Sequence, residues 1–100
     1  MRTKIAFKRL EKQINKIAKV YFDCMSILNK EKSIFKEKLT INQIITAYGV
    51  LSYEERKIIN NEFFHQDYPN WWKSKYSYDD FTMQKYFAMT HFLEAYKNEH

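Results

Sequence analysis

Few residues in this chain are of types that carry chemistry, and their spacing is uninformative. Cys24 is the single cysteine, so no disulfide forms within the chain and no zinc-ligand pattern exists. It falls on an apolar helical seam with no histidine near it, the setting of a buried, inert thiol. His65, Asp67 and the distant His91 match no metal-ligand spacing. Asp79 and Asp80 are adjacent carboxylates, but they fall in the first turn of a helix, where the dipole favours acids. Capping accounts for them better than acid–base catalysis does. One glycine, Gly49, cannot build a phosphate-cradling loop. The residues argue against an enzyme, a cofactor site and a metal site.

What remains is charge. The formal net charge is +5, and it is unevenly placed. Residues 1–50 hold eleven bases and four acids, whereas residues 51–100 hold six bases and eight acids. Lys4, Lys8, Lys12, Lys16 and Lys19 fall within an arc of about 120° at 100° per residue. Such a stripe tracks phosphates or is a solvated helix face; Lys8, Lys12, Lys16 and Lys19 are its candidate nucleic-acid contacts.

The elements that must position these residues are helical. One glycine and one proline in 100 residues are too few for the turns of an all-β fold. The first helix is expected over about Thr3–Asn29. Its apolar residues Phe7, Leu10, Ile14, Ile17, Tyr21, Cys24 and Leu28 alternate in threes and fours, the seam of helix-on-helix packing. Phe7, Leu10, Ile14, Ile17 and Tyr21 meet either the rest of the chain or a second copy, as a homodimer interface. Lys30 to Lys38 read as a solvated connector anchored by Ile34 and Phe35. Thr40 and Gln43 have capping-box spacing and open a short helix with Ile41, Ile44, Ile45 and Tyr48 inward, closed by Gly49 in the left-handed conformation.

Leu51 to Tyr96 organise the chain. Ser52 and Glu55 have capping-box spacing and open a helix to about Phe64, with Ile58, Ile59 and Phe63 inward. The segment His65–Pro69 breaks it. Asn70 caps a turn bearing Trp71 and Trp72, one packed inward and the other covering a neighbour or a partner. Ser77 then caps a helix from Tyr78 to about Lys97, with Phe81, Ala88, Phe92 and Ala95 inward and Tyr86, Met89, Leu93 and Tyr96 widening that face.

Leu51, Glu55, Arg56, Ile58, Ile59, Trp72, Tyr76, Ser77, Phe81, Lys85, Ala88, Phe92 and Leu93 form a pattern over the second half of the chain. It resembles the sigma-factor region-4-like proteins, and more closely the ArpU-type phage late-transcription regulators of Gram-positive bacteria. An uncharacterised family of small, helical, dimeric mycoplasmal proteins is similar too. The resemblance implies a helix-turn-helix whose last helix reads the major groove through Tyr78, Asp79, Thr82, Met83 and Lys85. It also implies duplex DNA or RNA polymerase as partner. Two aspartates at that helix start depart from the pattern, since they would face a polyanion.

The sequence thus predicts a single all-α domain over residues 1–100. Four to five helices are expected, a long N-terminal helix packing on a helix-turn-helix-like hairpin. Residues 1–50 make a basic half and residues 51–100 the hairpin half. The function expected is that of a non-enzymatic transcription-related regulator, the alternative being a homodimeric interaction module without DNA binding. No apolar run of membrane-spanning length is present, which points to a cytoplasmic protein.

Overall fold

The computed structural model describes residues 2–29 and 35–98, with side chains over 4–28 and 36–98. Within them the chain is all-α. Four helices follow in order: α1, Arg2–Asn29; α2, Phe35–Gly49; α3, Tyr53–Ile59, continued by a π-helical segment, Asn60–Phe64; and α4, Tyr78–Asn98. The molecule is 44 Å in its longest dimension, close to the roughly 42 Å that 28 residues of α1 span at 1.5 Å each.

The long helix is the lid of the fold. It packs against α2, α4 and the π segment, while α3 and α2 each pack on α4. One buried cluster results, in which Ile14 of α1, Ile44 and Ala47 of α2, Ile58, Ile59 and Phe63, and Phe81, Ala88, Met89, Phe92 and Leu93 of α4 meet. The α1 seam lies against this cluster within a single chain: Ile14 is fully buried, and Phe7, Leu10, Ile17 and Tyr21 pack on the core from its margin. The apolar α1 residues left outside are Ile5, Val20, Phe22 and Ile27.

Helix starts follow local chemistry where a serine is present. Ser52 Oγ accepts from the Glu55 backbone N–H at 3.2 Å, and Glu55 Oε1 accepts from the Ser52 N–H at 3.0 Å, a closed capping box. Ser77 Oγ accepts from the Asp80 N–H at 3.2 Å. Thr40 is different. The helix begins at Phe35, and Thr40 sits inside it, its hydroxyl donating back to the Lys36 carbonyl at 3.0 Å. Lys36, Glu37, Lys38 and Leu39 are good helix formers with no breaker among them, so nothing stops the helix starting earlier. Gln43, freed from a capping role, donates to the Tyr96 carbonyl at 3.2 Å and ties α2 to α4. Ile34 and the Phe35 side chain, the expected anchor of the connector, lie outside the described residues.

Two further expectations are corrected. Gly49 is the last residue of α2 with no left-handed φ, and a Cβ there would meet nothing within 4 Å. The chain turns instead through Leu51, whose N–H donates to the Tyr48 carbonyl at 3.2 Å and whose side chain is buried. Ile45 is exposed, because the buried row of α2 is Ile41, Ile44 and Ala47, one turn apart, and Ile45 lies about 100° off it. Among the described residues no helix is long and apolar enough to cross a membrane.

Candidate functional site

Residues 65–77 join the two helices of the hairpin, where a DNA-reading helix-turn-helix has a turn of three or four residues. The added length folds on itself in successive turns, with the Trp71, Lys73 and Lys75 N–H groups donating to the carbonyls of Tyr68, Asn70 and Trp72. It sets both tryptophans on one residue. Trp72 stacks on Phe81 with centroids 4.6 Å apart and planes 4° from parallel, while Trp71 meets the same ring edge-on at 5.7 Å. One tryptophan is expected inward and the other over a neighbour or partner; both rings are half-buried and share a core phenylalanine.

Behind them lies a charged cluster at core positions. Lys85 is buried, only 8% exposed. Its ammonium donates to Glu62 Oε1 at 2.7 Å and to Glu11 Oε2 at 2.9 Å. The other Glu62 oxygen accepts from Trp71 Nε1–H at 2.9 Å. Phe7 and Phe63 cover the ammonium at 5.5 and 5.3 Å from their centroids. One amine thereby joins α1, the π segment and α4, and through Glu62 the connector. π-helical turns recur at functional sites, and this one carries the central carboxylate.

A cleft of about 730 Å³ opens over this cluster, with Lys4, Phe7, Lys8, Glu11, Trp72, Tyr78 and Thr82 on its walls. Sharing Lys8 and Glu11 with it, a shallower groove runs on along α1 past Lys12, Asn15, Lys16 and Lys19. The candidate nucleic-acid residues therefore divide. Lys8, Lys12, Lys16 and Lys19 are exposed along one continuous trough and make no ion pair among the described residues. Tyr78, 70% exposed, and the half-buried Thr82 stand at its end. Lys85 forms part of the cleft's floor, its charge held by two carboxylates.

Glu11, Glu62 and Trp72 were not singled out from the sequence as site residues, although a signal exists. Lys85 follows Phe81 by four and precedes Met89 by four, and Glu62 follows Ile58 by four. Both are charged residues on faces that are otherwise apolar, which requires that they be paired.

The other chemistry-bearing residues are accounted for. Cys24 is buried, and burial first, then the Glu37 and Asp23 carboxylates, push its thiol above the ordinary range. No group of three or more metal-ligating side chains occurs among the described residues. His91 pairs through Nδ1 with the Glu55 carboxylate, far along the chain from His65. Asp79 and Asp80 are exposed at the start of α4. Glu54 accepts from the Tyr76 hydroxyl at 2.9 Å, and that hydrogen bond leads the causes that hold its carboxyl below the ordinary value.

Compared with protein-family models, with curated proteins and with solved structures, the chain matches none of them.

Proposed function

We propose that this chain is a non-enzymatic, transcription-related regulator that binds nucleic acid along the lysine edge of α1. The observation that carries the reading is the row Lys8, Lys12, Lys16 and Lys19, exposed and without an ion pair among the described residues. It covers roughly 16 Å at 1.5 Å per residue, the axial rise of about five nucleotides at 3.4 Å each. The link to transcription rests on the resemblance of the Leu51–Leu93 pattern to sigma region-4-like proteins. With Lys85 neutralised and Asp79 and Asp80 at its start, α4 is poorly charged for a recognition helix, so the affinity resides in α1. The test is fluorescence anisotropy of labelled DNA at about 50 and about 200 mM salt. Four phosphate contacts give a fall of about a hundredfold between the two. Absence of binding at the lower salt would refute the reading.

A homodimeric interaction module is the second reading. Met83 and Phe87, 52% and 46% exposed, lie one turn apart on α4, and the opposite net charges of the two halves suit a second copy of the chain as the partner. Sedimentation equilibrium of the protein and of Phe87→Ser decides it: a dimer that the substitution dissociates supports this reading, and a monomer at all concentrations ends it.

A further inference from the structure

The lysine groove along α1 opens at one end into a cleft with aromatic walls. Resting on the reading of α1 as a phosphate-binding edge, we infer that the cleft at its end receives bases of single-stranded nucleic acid, stacked against Tyr78 beside Phe7 and Trp72. Three observations converge on this. First, the cleft and the lysine groove share Lys8 and Glu11, so phosphates held along α1 lead a strand into the cleft. From Lys19 to Lys4 the path is about 22 Å, room for about six stacked nucleotides. Second, the cleft wall is aromatic where the groove is basic. Tyr78 is 70% exposed, its ring 6.3 Å from that of Trp72 and tilted by 57°, so it offers a face to a ligand rather than to the core. A basic groove interleaved with rings is the general design for single strands, because every unpaired base has a π-face to stack and a paired base hides its own.

Third, Asp79 and Asp80 are exposed in the first turn of α4, the helix whose Tyr78 and Thr82 line the cleft. Carboxylates on the helix that bears the aromatic end disfavour a second row of phosphates there. A single strand puts its one row on the lysines and its uncharged bases toward the rings.

The experiment compares a labelled single-stranded 12-mer with the same 12-mer annealed to its complement, at about 50 mM salt, for the protein and for Tyr78→Ala. Thermal melting checks that the variant is folded, as expected for a ring so exposed. The expected result is that the single strand binds at least tenfold tighter than the duplex. Tyr78→Ala should then weaken the single strand about tenfold more than it weakens the duplex, as loss of one stacked base does. Equal affinities, or a tighter duplex, would overturn the inference while leaving nucleic-acid binding by α1 intact. A single-strand preference that Tyr78→Ala does not reduce would also overturn it, since the bases would then lie elsewhere. If neither form binds, the underlying reading fails and this inference with it.

Discussion

Lys85 is an ion in the core, and its removal exposes what it neutralises. In Lys85→Met the methionine fits an apolar face, but Glu62, with a side chain only 14% exposed, is left charged and without its cation. The expected loss is about 2–4 kcal/mol of unfolding free energy, measured by urea denaturation. The double variant Lys85→Met, Glu62→Gln should recover much of it, because the glutamine is neutral and its carbonyl still accepts from Trp71. If the double variant is no better than the single, the pair is not the cause. Glu55 gives a pH dependence. Burial raises its carboxyl pKa, but the Ser52 N–H and then His91 outweigh that, and the net shift is below the ordinary 4.5. The unfolded chain thus takes up the proton first as pH falls, so the contribution of Glu55 is fully present above pH 4.5 and lost as pH falls through its folded value. Against Glu55→Gln, which keeps a capping side chain, the stability gap should be open near neutral pH and should close below about 4.5. A gap that does not narrow as pH falls below 4.5 would contradict this. At this scale the sequence was readable where side chains obey periodicity, as with Ile14, Ile58 and Phe92. At Glu62 the only trace was an acid on an otherwise apolar face, and at Glu11 there was none, because its ion pair with Lys85 spans 74 positions.

Helices, by contrast, were legible almost to the residue where a cap marks them. Ser52 and Ser77 start α3 and α4 as their spacing implies, since the signal and the hydrogen bond are the same local event. Thr40 misleads because the T-x-x-Q spacing also occurs inside helices, and a helix starts wherever the flanking residues permit. The connector's break and its turn were legible, but its path is set by two tryptophans packing on Phe81, a tertiary contact. Gly49 offers a test in which the two views give opposite signs. A left-handed glycine loses stability when given a side chain, whereas here φ is ordinary and the Cβ meets open space. Gly49→Ala should therefore raise stability by roughly 0.5–1 kcal/mol through the lower helix propensity of glycine. A drop in melting temperature would return Gly49 to the role the sequence suggested.

The whole molecule divides its charge by element, and its binding should follow that division. Lys12→Glu with Lys16→Glu reverses two of the four exposed lysines without touching the core. DNA affinity at low salt should fall by at least tenfold, and the log–log salt slope should shrink by about 2, with the melting temperature little changed. An unchanged slope would remove α1 from the interface. The basic face was visible in the sequence as a stripe. Its continuity with an aromatic cleft was not, because α1 and α4 become neighbours only in the folded chain.

That adjacency has a consequence for how the protein is made. The Lys85 ammonium holds α1 through α4, a helix translated well after it. Ile14 enters a cluster that is complete only once α4 has left the ribosome, so α1, which α2 and the π segment cover in part, keeps some of its apolar seam open until then. α1 is translated before the helix that completes its shelter, and a nascent chain stalled within the tryptophan connector should be the form that chaperones hold.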